Sequence, residues 1–279
     1  MKKNPLLFEA ATCYMERNDM EKNKLLVVIP VYHPVLKAYE KAALDHNLSL
    51  LEGFSVVFLQ PNNVDMSQLN GQYPNVGVIE VSGDWLGTAY GIQGYNRMMM
   101  SESFYKLFQD YTYIFICHVD AWLFKNELAS WCDRDYDLVA APWPTRPRYT
   151  RFPLKQYLKL KLLLKPKNKI IHSQMFGRIG NGGLCLRKVK TFQEACVQYA
   201  DEIAYYNSQS DALHNEDLFW ALVPPLKVPS VKEALTFSFD LKPELCYQLN
   251  GNRLPMACHG FNKPVRVAFW KQFIPALNG

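Results

Sequence analysis

The segment Leu25-Leu26-Val27-Val28-Ile29-Pro30-Val31-Tyr32 offers no polar side chain before its last residue. A strand of that composition has no face to give to water, so it must lie inside a sheet covered on both sides. Tyr113-Ile114-Phe115-Ile116-Cys117-His118-Val119-Asp120 has the same texture and ends in a carboxylate. Phe54 to Leu59 and Gly77 to Val81 read as further strands, and Asp137 to Pro142 as a fifth. Between them, Val35 to Leu51 and Gly91 to Gln109 read as helices, the second with Ile92, Tyr95, Met98 and Met99 on its apolar face. Strands alternating with helices predict an α/β fold, a mainly parallel sheet flanked by helices on both faces. In open sheets of this kind ligands sit at the carboxyl edge.

From Pro142 the texture changes. A loop precedes a short basic, leucine-rich helix over Leu154 to Leu164, and Gly180-Asn181-Gly182-Gly183 is a turn running into a short strand. A helix is expected from Thr191 to Tyr206, and the last forty residues read as irregular. Residues 1–23 form a polar extension, and 24–279 are expected to make one domain, its halves meeting near residue 141.

At 279 residues and 49% hydrophobic, the chain has ample core material, and its composition excludes disorder and coiled coil. No apolar run approaches the ~18–20 residues of a membrane span. The start, Met1-Lys2-Lys3 followed by Pro5, Glu9, Glu16 and Asp19, predicts no signal peptide. Seven cysteines without CxxC spacing read as buried thiols of a reducing compartment, so a cytoplasmic location is expected. The net charge of +5 hides an asymmetry: 13 Lys or Arg and no acid lie between Leu138 and Gln193, whereas the other 18 basic residues face 26 acids. Positive charge is thus one local feature, which argues against a nucleic-acid binder.

Four groups of residues could carry chemistry. Asp120, at the end of an apolar strand, suits a divalent ion held against a diphosphate, or the cap of a helix expected near Lys125 to Trp131. Glu216-Asp217 favours a helix N-terminus by charge, or supplies a general base toward an acceptor hydroxyl. The glycines of 180–183 allow close approach to a ligand or make a tight hairpin, and match neither a Walker loop nor GxGxxG. His259 is a structural residue or a further ligand beside Asp120, where imidazole favours Mn over Mg. A zinc site from His118, Cys132, Cys258 and His259 fits no finger spacing.

Together these segments resemble a GT-A nucleotide-sugar glycosyltransferase, and in particular the bacterial capsule and lipopolysaccharide glycosyltransferases long carried as a domain of unknown function. The likeness runs from Lys24 to Phe261. Val28-Ile29-Pro30-Val31-Tyr32 resembles the opening strand, Tyr95-Asn96-Arg97-Met98-Met99 the helix before the metal strand, and His118-Val119-Asp120 the DxD motif with His in place of its first Asp. Gly180-Asn181-Gly182-Gly183-Leu184-Cys185-Leu186-Arg187 is similar to a GNGGxxLR segment beside donor and acceptor, Asn215-Glu216-Asp217 to an ED motif supplying the base, and Cys258-His259-Gly260 to a C-terminal metal-binding His.

The resemblance implies a GT-A-like (Rossmann-like) fold with a nucleotide-binding half, 24–141, and an irregular acceptor-side half, 142–279. It implies transfer of a sugar from a UDP-sugar, a UDP-hexose, to a hydroxyl of a lipid-linked oligosaccharide acceptor, with inversion. Asp120 and His259 would hold Mn2+ or Mg2+, Asp217 would be the base, and Glu216 would orient acceptor or sugar hydroxyls. Pro30, Tyr32, Pro61 and Asn62 would enclose base and ribose, and Asn96, Arg97, His118, Asn181, Gly182 and Gly183 would meet the donor. Arg146 to Lys169, basic residues interleaved with leucines, would either bury those leucines in the core or lie on an anionic membrane at the inner face of the cytoplasmic membrane. A nucleotidyltransferase on a similar sheet and a non-catalytic nucleotide- or glycan-binding protein of this fold are the alternatives.

Overall fold

A computed structural model of the chain describes residues 24–166 and 169–278. The N-terminal extension with Cys13, Lys167 and Asn168 of the basic window, and Gly279 lie outside the described residues. The strands are β1 (Leu25–Pro30), β2 (Ser55–Pro61), β3 (Gly77–Val81), β4 (Tyr113–Cys117), β5 (Ala121–Leu123), β6 (Leu138–Ala140), β7 (Leu184–Lys188), β8 (Ser238–Phe239) and β9 (Ala257–His259). Six of them form the central sheet, in the order β3-β2-β1-β4-β7-β6.

β1 is buried at all six positions because it sits mid-sheet, parallel to both neighbours, with Val28 between Val57 and Ile116. Its alternate side chains enter different cores. Leu25, Val27 and Ile29 join Phe58, Phe115 and Trp131 on one face. Leu26 and Val28 join Met98, Phe104, Ile114 and Trp220 on the other. The cysteines of the described residues are buried thiols.

The mainly parallel sheet forms as expected, with β7 alone reversed, and two expectations are corrected by the way the chain turns at the carboxyl edge. After β6 the chain makes a long excursion and re-enters at that edge, so β7 can only run back down the sheet. It pairs antiparallel with β4 and with β6, giving the parallel sheet an antiparallel wing. The strand expected to reach Asp120 ends at Cys117, where the chain bends; His118 N–H then donates to Gly183 O at 2.9 Å. The last forty residues are ordered into β9 and helices Pro243–Leu249 and Pro264–Trp270. β5, β9 and β8 form a second sheet, closed over a third core of Trp122, Phe239, Cys258, Phe261 and Trp270.

The long helices expected at 91–109 and 191–206 each break once. Gly91–Met99 is followed by Glu102–Lys106, with Ser101 extended at the N-cap position. The second is Val189–Gln198 and then Ala200–Asn207. The basic helix forms over Leu154–Leu164 as expected, but none of its residues is buried. Leu163 and Leu164 are 80% and 71% exposed, so the leucines do not enter the core.

One charged pair crosses the interior. Arg187 on β7 meets Glu216 of the helix Glu216–Leu222 at 2.8 Å, with side chains 1% and 3% exposed. The guanidinium also donates to Tyr105 Oη at 2.8 Å, so its buried donors are matched. Removing one partner strands the other charge in a dry interior. Arg187→Met should therefore cost about 3–5 kcal/mol in urea unfolding, and adding Glu216→Gln should restore much of it; equal stability of wild type and Arg187→Met would show that the pair is not a structural tie.

Candidate active site

The end of β4 and the start of β5 are three residues apart, and Asp120 lies in that gap. β5 pairs antiparallel with β9 so that Ala121 faces His259, and Gly260 N–H donates to Asp120 O at 2.9 Å. That register sets Asp120 Oδ1 3.2 Å from His259 Nε2. Ligand atoms of His118, Asp120 and His259 all lie within 4.8 Å of one another. The helix that Asp120 was expected to cap begins only at Leu128, with Glu127 at its N-cap, so Asp120 is no cap.

Two imidazoles and a carboxylate form a donor set suited to a first-row divalent ion such as Mn2+. The shell behind them fits that use. Asp240, immediately after β8, lies 3.4 Å from His259 Nδ1, a carboxylate on the ring nitrogen turned away from Asp120. Asp240 is itself held by Arg266. On the other imidazole, Tyr95 Oη lies 2.9 Å from His118 Nε2 and donates to Gly182 O at 3.2 Å. With the hydroxyl proton on Gly182, His118 donates from Nε2 and keeps its lone pair on Nδ1. Lys263 Nζ completes the group, 3.7 Å from Asp120 Oδ2.

The electrostatics divide the two histidines. Burial, aided by the charge of His259, lowers His118 to about 4, so it is neutral. Burial also opposes charge on His259, but Asp120 and Asp240 on either side outweigh it and raise the imidazole to about 10. Asp120 is likewise penalised by burial, yet the charge and hydrogen bond of His259 hold it well below the ordinary carboxyl range.

The glycine turn is clamped between this cluster and the acidic helix. A β-carbon at Gly183 would sit on the His259 ring, and one at Gly182 would overlap the Glu216 carboxylate. Asn181 Oδ1 accepts from Gly183 N–H at 2.8 Å, while its amide nitrogen is 3.3 Å from His259 Nδ1. Glu216 is spent on Arg187. Asp217 is different: burial first, and the neighbouring charge of Glu216 second, push its carboxyl up to about 7.

The other sequence-predicted residues fall around this edge. Pro30 and Pro61 end the adjacent strands β1 and β2, Tyr32 is 45% exposed just beyond, and Asn62 is exposed. Arg97 is exposed with its guanidinium over the Tyr90 ring. Asn96 is buried, and its amide is engaged inside the protein, bonding Asn215 and accepting from Glu216 N–H. Sequence reasoning missed Asp240, Lys263 and Arg266. Asp240 follows a strand of only two residues, Ser238–Phe239, too short for its pattern to mark the acid behind it.

This architecture is the GT-A fold of glycosyltransferases. It is similar to the galactosyltransferase LgtC in complex with donor and acceptor sugar analogues, at 12% identity over 91% of this chain and 95% of that one, with a TM-score of 0.52. Mouse xyloside xylosyltransferase 1 is similar at 11% identity over 85% and 97% of the two chains, with a TM-score of 0.50. No curated protein matches the sequence. Residues 76–259 match the family described as protein of unknown function DUF5672, and the chain belongs to that family.

The donor set makes a measurable demand. Mn2+ should bind the protein, read by loss of the free-ion EPR signal, and Asp120→Asn should abolish that binding. Asp240→Asn, which removes the carboxylate beside His259 Nδ1 and unpairs Arg266, should weaken it about 10–100-fold. Unchanged affinity in Asp120→Asn would take the ion away from this cluster.

Proposed function

We propose that the chain transfers a sugar from a nucleotide-diphosphate sugar to an acceptor hydroxyl, with Asp217 as general base. The observation that carries this reading is the pairing, across one glycine turn, of a metal-competent His-Asp-His cluster with a carboxyl poised near neutrality. A base works best when its pKa lies near the operating pH, and an ordinary surface Asp is too weak. A divalent ion held by Asp120, His118 and His259 would supply positive charge to a departing diphosphate.

The chain's own residues account for the rest. Lys263, beside Asp120, offers a second positive charge to the leaving group. Asp217 accepts the proton of the attacking hydroxyl. Glu216, expected to orient hydroxyls, serves instead as a positioning residue, since its carboxylate is held by Arg187 and its charge keeps Asp217 from ionising early. The turn at Gly182 and Gly183 brings backbone close to the sugar, and Tyr32 is an exposed ring near the strand ends that suits a nucleobase. In this reading residues 24–141 are the nucleotide half and 142–279 the acceptor half, the donor is a UDP-hexose, and a base on the acceptor side makes the reaction inverting. The test is incubation with a panel of nucleotide sugars and Mn2+, following nucleotide release and, by NMR, the anomeric configuration of the product. Retention of configuration would remove Asp217 from the role of base.

Asp217 faces Glu216, Asp240 and Arg187. Because the base must be ionised, kcat/KM should rise with pH and level off above about 7. Asp217→Asn should lose that limb and about 10²–10⁴-fold in kcat. The raised pKa also means that the folded state holds a proton which the unfolded chain has lost, so stability falls as pH rises from about 4 to about 7. Asp217→Asn should therefore unfold at higher temperature than wild type at pH 8.

The acceptor in this reading is a lipid-linked oligosaccharide at the inner face of the cytoplasmic membrane, approached through the basic helix. No helix among the described residues is long and apolar enough to cross a membrane. Leu154–Leu164 carries Lys155, Lys159 and Lys161 among exposed leucines, and each such charge contributes up to about 1 kcal/mol at an anionic surface. The protein should sediment with anionic but not zwitterionic liposomes, less at high salt, and not after Lys155, Lys159, Lys161 and Lys165 become Gln. Equal sedimentation of both proteins would leave the helix without this role.

A further inference from the structure

Next to the cluster, and separate from it, lies a recess of about 670 Å³ between Arg146-Pro147-Arg148 and the segment from Leu241 to Gln248. Four of its lining side chains, Arg146, Arg148, Lys242 and Arg266, are cationic, and the one acid among them is Glu244. Pro147, Leu241, Leu245 and Val265 give the same lining an apolar part. Lys242 is part-buried in this field, and that burial, followed by the charges of Arg146 and Arg148, lowers its ammonium below the ordinary lysine value. Its backbone is left-handed (φ 54°, ψ 60°), which is uncommon for a residue with a β-carbon. Arg266 connects the recess to the site, because it pairs with Asp240 and donates to His259 O at 3.2 Å.

Cations gathered in a concave, partly apolar space repel one another, and an anion entering it converts that repulsion into attraction. We propose that this recess binds a phosphate or carboxylate group. On the glycosyl-transfer reading, that group belongs to the acceptor, whose hydroxyl is thereby held beside the donor site. Guanidinium forks at Arg146 and Arg148 suit the paired oxygens of either group. The shared chemistry is an oxyanion on a body with an apolar side, and its source is a lipid phosphate or an acidic sugar.

Calorimetric titration of the full chain at low salt with inorganic phosphate, citronellyl phosphate and glucuronate tests the proposal without requiring turnover. Saturable binding of an oxyanion is expected, weakened at least about tenfold in Arg148→Gln/Lys242→Gln. Tighter binding of citronellyl phosphate than of glucuronate identifies a lipid phosphate, and the reverse order an acidic sugar. Arg148→Gln alone, on an exposed loop, guards against misfolding and should show part of the loss. Absence of saturable binding, or equal affinity of wild type and the double variant, would overturn the proposal. Intact oxyanion binding in a protein that consumes no nucleotide sugar would instead sink the transferase reading and leave the recess standing.

Discussion

The buried pair of Arg187 and Glu216 ties the central sheet to the helix that carries Asp217. Such a pair gains little net stability, because desolvation offsets most of the attraction. What it fixes is position. With Glu216 locked against β7, its neighbour Asp217 is held under the glycine turn, beside a carboxylate that Arg187 keeps in place. Burial there raises the pKa of Asp217, and the fixed charge of Glu216 adds to it. The same β7 delivers the turn to His118, so one strand sets both sides of the site.

The cluster itself is assembled from strand ends. His118 and Asp120 follow β4, His259 closes β9, and Asp240 follows β8. Each of these strands is largely buried, and each ends at or near a polar residue that stays largely buried. Placing an acid at such a junction costs desolvation, which is offset here by pairing: Asp120 with His259 and Lys263, and Asp240 with His259 and Arg266.

The first half of the fold was legible because β1, β2 and β4 have no polar face to offer, and helices fill the intervals between them. The mainly parallel direction of the sheet was legible, but the reversal of β7 was not, because only the excursion between β6 and β7 turns the chain back. The second sheet was invisible for another reason: strands of two or three residues are shorter than any periodicity can register. Asp120, His259, Glu216 and Asp217 were found as isolated candidates, each with a bland reading beside it. What the residues alone could not show was which would meet. Asp240 escaped because β8 is so short, and Lys263 and Arg266 because a surface-like helix start gives no hint of what lies underneath. Asn96 looked like a donor contact, but its amide is used to hold the start of the Glu216 helix.

The two sheets meet at a single bend, with Asp120 between the end of β4 and the start of β5 and His259 on the strand paired to β5. His118 belongs to the first sheet's edge and His259 to the second sheet. A ligand engaging both would therefore act as a rivet between two sheets that already share the core of Phe115, Leu123 and Ala257, and it could bind only while they are seated together. Occupancy of the site and closure of the C-terminal core are thus the same equilibrium seen from two ends. Local opening of the last forty residues would become harder whenever the site is filled.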